Sequence, residues 1–348
     1  SDLSAIFPHH RGGADRGAGV RALVTEKPEG TFIGPFSYSG RHRKDPNDRI
    51  PHQHRRELRG LSVFSAWLDN RLAVESRTAD VFVGTEKDGS GHVVHYLFGF
   101  ESSLGNHERA LEGFEGYVHP SAQLSPIVMG LPNITLYSQR EKPETRISHE
   151  AFDVESFEPL LWMPAVTNAA FSNSVTRDSL WASFILSRFT DDRISAIVST
   201  AEFSDRPLSD EIAGILAGRR DKLLKTWLST QSPLGDFEVK RAGSGFEVTG
   251  RDVAVDSNLP GTEGSVYMWR LRTINRKANL TEWAEAQRPS AFVDGKALNL
   301  MRQGRLHDLE IAAKRAGEDW PMHSVHVLVR KTGGGELEIA GITRRSAR

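Results

Sequence analysis

The first strong helical pattern of the chain follows residue 51. Apolar side chains recur there at steps of three and four residues, as on one face of an α-helix: Leu58, Leu61, Phe64, Trp67 and Leu68. The pattern predicts a helix that starts at Pro51, with Asn47 or Asp48 as its cap. His52 and His54 stand two positions apart and do not share a helical face, so we expect a capping or surface role for them and not a metal pair.

Two strand patterns come next. Residues 79–83 and 93–100 are short runs rich in apolar and aromatic residues, and the turn-rich stretch 86–91 joins them, so they predict a β-hairpin. Residues 105–150 show no clear period. They are interrupted by Pro120, Pro126, Pro132 and Pro143. A connection of this length is typical of a segment that wraps a surface or serves function.

Three helices are predicted between residues 176 and 228. The first is expected to have Thr176 as its cap, the second to start at Thr190 or Asp191, and the third to start at Ser209. Gly214 and Gly218 weaken the third helix, so we expect close packing or a kink there. The apolar side chains expected to face the core are Leu180, Trp181, Phe184, Ile185, Phe189, Ile194, Ile197, Val198, Ile212, Ile215, Leu216, Leu223, Leu224, Trp227 and Leu228.

Past Pro233 the pattern changes to strands and glycine-rich turns. The predicted strands cover residues 237–241, 245–249, 265–274, 290–293, 324–331 and 336–343, and one helix over residues 305–315 interrupts them. This arrangement predicts a small antiparallel β-sandwich. The expected fold class is therefore α+β, in three parts: an extended basic arm (1–44), a helical lobe with a β-hairpin (45–234) and a β-rich domain (235–348).

The arm is rich in Gly, Arg and Pro, with short β-like runs at residues 20–25 and 31–33. Its basic side chains are His9, His10, Arg11, Arg16, Arg21, Arg41, His42 and Arg43. Its low apolar content favours either an arm that binds an acidic surface or a solvated tail. The chain begins Ser-Asp-Leu, which we interpret as a processed or trimmed end.

Composition excludes several classes of protein. The chain has no cysteine, which excludes disulfides, thiolate metal sites, iron–sulfur clusters and cysteine catalysis. The formal net charge of -1 provides no field that attracts nucleic acid, so we expect no nucleic-acid partner. No apolar run reaches the roughly 18 residues of a membrane span, so we expect no transmembrane segment.

Residues 45–105 are predicted to form a helix, a loop and two strands, in that order. A kinase-like lower lobe carries its catalytic and metal loops in the same order. Phosphoryl transfer needs a loop or lysine for the phosphates, an Asp for the acceptor hydroxyl, and an Asn and a second Asp for magnesium. No G-x-G-x-x-G or G-x-x-x-x-G-K-[ST] motif is present, and residues 1–50 are too few for an upper lobe. No G-x-S-x-G or H-E-x-x-H motif indicates another enzyme class.

A resemblance rests on three blocks of sequence. Residues 45–61 read Asp-Pro-Asn-Asp-Arg-Ile-Pro-His-Gln-His-Arg-Arg-Glu-Leu-Arg-Gly-Leu. Residues 67–80 begin Trp-Leu and end in Asp, and residues 95–105 begin His-Tyr-Leu and end Leu-Gly. These blocks resemble an uncharacterised family of bacterial proteins with a kinase-like core, distantly similar to HipA-like and spore-coat CotH-like atypical kinases. A later block, residues 157–205, also resembles that family.

The resemblance implies a kinase-like lobe that has lost its metal chemistry. The family's loop Asp falls on Leu72, its Asn on Arg77 and its metal Asp on Gly99. Leucine, arginine and glycine side chains do not coordinate magnesium. We therefore predict no catalytic, cofactor-binding or metal-binding residue and no cofactor.

The leading hypothesis is a non-catalytic binding or structural subunit that docks onto a larger protein complex. Family members that tend to carry export signals imply a cell-envelope location and a membrane-associated complex. The alternative is an atypical kinase or nucleotidyl transferase that uses Asp69, Asp80 and Glu101, completed by an upper lobe encoded upstream or supplied by a partner.

Overall fold

The computed structural model of the protein describes residues 28–42, 45–85, 90–98, 100, 103–105, 152–201, 203, 206–275, 278–321 and 323–344. Within these ranges it contains seven α-helices and eleven strands, and every strand pairing is antiparallel. The predicted mixture of helices with antiparallel sheets is confirmed. No helix within the same ranges is long and apolar enough to cross a membrane.

The N-terminal half combines five helices with one small sheet. The helices are α1 (Arg56–Leu68), α2 (Ala169–Ser172), α3 (Thr176–Leu186), α4 (Asp191–Ser199) and α5 (Arg206–Leu228). The sheet has the order β1 (Thr31–Gly34), β2 (Thr78–Thr85), β3 (Ser90–Leu97), so both predicted hairpin strands are present. Helices α1, α3, α4 and α5 share one apolar core, to which Trp67, Leu180, Ile194 and Leu224 contribute.

The helix starts agree with prediction only in part. Helix α3 begins at Thr176, and the residue at its cap position is Val175 and not the predicted Thr176. Helix α1 begins at Arg56 and not at Pro51, because His52–His54 form a separate 3₁₀ turn and Arg55 is extended. Thr190 caps α4 as predicted, since its hydroxyl accepts a hydrogen bond from the Arg193 amide. Helix α5 begins at Arg206, three residues before the predicted Ser209.

The predicted packing of the helices is wrong at Ile197 and confirmed at Gly218. Ile197 is exposed, contrary to prediction, because Ile194 and Val198 provide the buried face of α4. Gly218 packs closely, as expected, since an added Cβ would lie 2.6 Å from Val154 Cγ2. Gly214 faces open space. Close contact therefore explains one glycine and not the other.

The C-terminal half is a β-unit with two sheets. The first has the order β11 (Leu337–Arg344), β10 (Ser324–Lys331), β9 (Leu306–Lys314), β6 (Val266–Thr273), β7 (Ala284–Ala286). The second has the order β4 (Leu234–Ala242), β5 (Gly245–Asp252), β8 (Ser290–Val293). Both contribute side chains to one apolar core, including Phe246, Val248, Leu309 and Val327. Short helices α6 (Val253–Asp256) and α7 (Gly295–Leu300) were not predicted.

The helix predicted over residues 305–315 is wrong. This segment is strand β9, which lies at the centre of the five-stranded sheet between β6 and β10. Its leucines and alanines favour a helix in isolation, but hydrogen bonds to two neighbouring strands decide the conformation. Leu309 and Ile311 reach the core, while His307, Asp308 and Glu310 are also buried.

Candidate functional site

The loop after α1 is built around Asp69. Asp69 ends the helix in a left-handed conformation with φ of 52° and is almost completely buried. Its Oδ1 atom accepts hydrogen bonds from Trp162 Nε1 at 2.8 Å and from Arg71 Nε at 3.0 Å. The Ala165 amide donates to the Arg71 carbonyl at 2.9 Å. Asp69 therefore connects this loop to the segment 159–165.

Leu72 is packed where the resemblance places a carboxylate. It is 1% exposed and lines a cavity of about 30 Å³, which has room for about one water molecule. Arg77, which replaces the expected Asn, lines the same cavity, and burial lowers its pKa. Gly99 and Glu101 lie outside the described residues. The described part of the loop is thus a packed element with no space for a nucleotide.

The motif at residues 45–61 forms a buried polar cluster around Asp48. Its carboxylate accepts hydrogen bonds from the His42 amide at 2.5 Å, from His52 Nε2 at 2.8 Å and from Arg55. Burial alone would raise the pKa of Asp48, but these hydrogen bonds outweigh it, so the pKa is lowered. Asp48 therefore does not cap α1, and the predicted surface role of His52 is wrong because its ring is buried in this cluster.

A second His–Asp pair lies on the hairpin. His95 Nδ1 is 2.6 Å from Asp80 Oδ1, and Asp80 is buried while the His95 side chain is 39% exposed. Phe36 lies between the two pairs, stacked on His52 with ring centroids 4.4 Å apart and edge-on to His95 at 4.7 Å. The two residual acids that the structure describes, Asp69 and Asp80, are thus both occupied by neighbouring side chains.

These groups border the cleft between the 42–55 segment and the sheet. Its volume is about 860 Å³, and its lining includes His42, Asp45, Asp48, Arg55 and His95. Asp80 fixes one nitrogen of the His95 ring and leaves the other for a ligand. No group of three or more His, Asp or Glu side chains in the described ranges is arranged to hold a metal ion. The volume of the cleft is that of a typical ligand site, and its polar side chains could form hydrogen bonds with a ligand.

An exposed apolar strip follows directly from the anchor at Asp69. Leu160 is 71% exposed, Leu161 63% and Met163 62%. Trp162, which lies between them in the sequence, donates a hydrogen bond to Asp69. Beside the strip is a cavity of about 560 Å³ whose lining contains no charged side chain. Contiguous exposed apolar residues of this kind mark interaction surfaces more often than isolated ones do. The strip was not singled out from the sequence.

The β-unit carries a polar network on the sheet face opposite its core. Ser324 Oγ lies 3.4 Å from His326 Nε2, and His326 Nδ1 lies 3.0 Å from Asp308 Oδ1. This order is that of a serine-hydrolase triad. However, the Ser324 hydroxyl donates to Glu310 Oε1 at 3.1 Å, and Glu310 is also bound by Arg270 and Arg272. The Ser324 hydroxyl is thus engaged by the Glu310 carboxylate, and the network joins side chains of strands β6, β9 and β10.

Searches against protein-family models, curated proteins and solved structures find no match for this chain.

Proposed function

We propose that the chain is a non-catalytic binding subunit built on a degenerate kinase-like lobe. The observation that carries the proposal is the buried position of Leu72 in a loop with no space for a nucleotide. The buried contacts of Asp69 and Asp80 also support it, because both acids are engaged in holding the fold.

The partner-binding surface in this proposal is the strip Leu160, Leu161 and Met163. Asp69 and Trp162 hold the strip to the end of α1, so the former catalytic loop serves as its support. The partner is a protein of a larger complex, and the family resemblance favours a membrane-associated complex at the cell envelope. The strip's exposed area is apolar, as the centre of a protein–protein interface requires.

Calorimetric titration with ATP and magnesium tests the loss of catalysis. We expect no metal-dependent heat of binding, because Asp69 and Asp80 are held by neighbouring side chains and the described loop leaves no space for a metal ion and its phosphates. Tight, magnesium-dependent binding would contradict the proposal and favour the atypical kinase or nucleotidyl transferase. An upstream reading frame that encodes a glycine-rich hairpin with a strand lysine would favour the same alternative.

Affinity purification from the native host tests the surface. The double variant Leu160→Asp, Met163→Asp is expected to lose a partner that the parent chain retains in stoichiometric amount. Leu300→Asp is the matched control, since Leu300 is a similarly exposed leucine in the β-unit. Equal recovery of the partner with all three chains would assign binding to another surface.

A further inference from the structure

His52 joins separate parts of the N-terminal segment through one buried ring. The residue is 2% exposed and lies in the 3₁₀ turn before α1. Its Nδ1 atom lies 2.5 Å from the Ser37 carbonyl oxygen, and its Nε2 atom lies 2.8 Å from Asp48 Oδ2. The ring of Phe36 is stacked on the imidazole, with an angle of 11° between the planes. Residues 36–38, which we call the strap, are therefore connected to Asp48 through the imidazole.

Both groups that face the imidazole nitrogens are hydrogen-bond acceptors. The carbonyl oxygen of Ser37 has no hydrogen to donate. Burial raises the pKa of Asp48, but hydrogen bonds from the His42 amide, His52 and Arg55 outweigh it and lower the pKa, so the carboxylate is ionised at neutral pH and only accepts. A ring rotated by 180° would place carbon atoms at these positions, whereas C–H···O contacts lie at about 3.3–3.6 Å. Both nitrogens of His52 must therefore donate, and a neutral imidazole has only one N–H group.

The charges around His52 are compatible with a positive ring. The titratable and charged groups near it are Asp48 and Arg55 on its own segment, His42 before them, Glu75 beside the strap, and Asp80 and His95 on the hairpin. Three of these groups are carboxylates. The guanidinium of Arg55 bonds to Asp48 Oδ1, so it does not compete with His52 for Oδ2. The stacked face of Phe36 also attracts a cation.

We propose that His52 is an imidazolium latch, which holds the strap at neutral pH and releases it at alkaline pH. When hydroxide removes one ring proton, water forms and a single N–H group remains. This N–H stays with Asp48, because a hydrogen bond to a carboxylate is stronger than one to a carbonyl. The unprotonated Nδ1 atom then faces the Ser37 carbonyl oxygen, and repulsion between the two lone pairs moves the strap away.

The movement of the strap would reach the cleft between the 42–55 segment and the sheet. Phe36 lies edge-on to His95, which lines that cleft, with ring centroids 4.7 Å apart. Phe36 and Tyr38 also pack with Ala170 in a small apolar cluster. The latch therefore couples pH to the surroundings of His95. It does not involve the partner-binding strip, so either proposal can fail while the other stands.

Long-range proton–nitrogen NMR of the full chain measures the protonation of each ring nitrogen. At neutral pH we expect both nitrogens of His52 to carry hydrogen, and the exposed His54 of the same turn is the internal reference. As the pH is raised, Nδ1 should lose its hydrogen, and the carbonyl carbon signal of Ser37 should shift with the same midpoint. An unprotonated nitrogen on His52 at neutral pH would overturn the proposal, as would a Ser37 signal that does not follow the titration.

Two variants test the latch through stability. His52→Phe keeps a flat ring beside Phe36 but donates no hydrogen bond. Its urea midpoint should lie below that of the parent chain at neutral pH, and the difference should narrow as the pH is raised, because the parent chain then loses the bond to Ser37 that the variant lacks. His54→Phe is the matched control and should unfold like the parent chain at every pH. A difference for His52→Phe that stays constant with pH would contradict the latch, and if this variant does not fold, the NMR titration of the parent chain decides.

Discussion

Arg219 in the helical half and Glu310 in the β-unit are two buried charged side chains that are satisfied in different ways. In the helical half, Arg219 donates to the backbone carbonyls of Ala66, Trp67 and Asp153 at 2.7–3.2 Å. In the β-unit, Glu310 is bound by the side chains of Arg270 and Arg272. The first arrangement satisfies the open end of α1, while the second pairs charges across neighbouring strands.

The difference follows from backbone geometry. A helix end leaves carbonyl groups without partners, and a buried cation can satisfy several at once. A central strand has its backbone groups paired, so its buried charges must find side chains. Removal of Arg219 is therefore expected to lower the free energy of unfolding more than removal of the Glu310 charge does, because fixed backbone carbonyls cannot move to another donor.

The largest expected effect comes from placing a carboxylate at position 72. Leu72→Asp places a carboxylate in a packed cavity without a cation designed for it, and we expect a loss of about 4 kcal/mol in the free energy of unfolding. Urea unfolding followed by circular dichroism measures it. Leu72→Asn is the matched uncharged control and should lose less. A stable Leu72→Asp chain that binds magnesium would mean that the loop retains an open site.

Arg219→Met tests the helical side of the comparison. Burial lowers the pKa of Arg219 to about 10, so the side chain stays charged at neutral pH. Its removal takes this donor away from three carbonyls, of which only that of Ala66 keeps a bond, from the Asp69 amide, and it removes the contacts with Phe152 and Phe157. We expect a loss of about 3 kcal/mol in the free energy of unfolding in the same assay. If Arg219→Met loses less free energy of unfolding than Glu310→Gln, the expected order of the two effects is wrong.

Glu310→Gln tests the β side and should cost about 2 kcal/mol at neutral pH. Burial opposes ionisation, but hydrogen bonds from Arg270 and Arg272 outweigh it and lower the pKa of Glu310 below 4.5. A lowered folded pKa gives stability that is present above the unfolded pKa and is lost as the pH falls through the folded one. The free energies of unfolding of parent and variant should therefore converge as the pH is lowered from neutral through the lowered pKa of Glu310. A difference in the free energy of unfolding that does not change with pH would show that ionisation of Glu310 does not contribute to stability.

The smallest effects come from two glycines of α5. Gly218→Ala should destabilise by about 1–2 kcal/mol, because the new methyl group meets Val154. Gly214→Ala, its matched control, should stabilise by about 0.5–1 kcal/mol, because it faces open space and alanine favours the helix. Thermal unfolding midpoints measure both. Effects of the same sign would show that contact with Val154 does not decide the cost.

Much of the fold could be predicted from sequence periodicity. The strands at Ser290–Val293 and Ser324–Lys331 have the predicted bounds, and the apolar stripe with Ile194 and Val198 faces the core. Helix starts were harder to predict, because Asp48 is used by His52 and Arg55 and not by the helix end. A local pattern does not show which of several polar partners a side chain chooses.

The sequence by itself determined that Leu72 and Arg77 cannot hold magnesium and that the chain has no thiol chemistry. Only the tertiary structure decided that β9 is a central strand and that Asp69 supports an apolar strip through Trp162. The reason is physical. Side-chain chemistry is a local property, whereas strand pairing, burial and unpaired polar atoms depend on residues far apart in the chain.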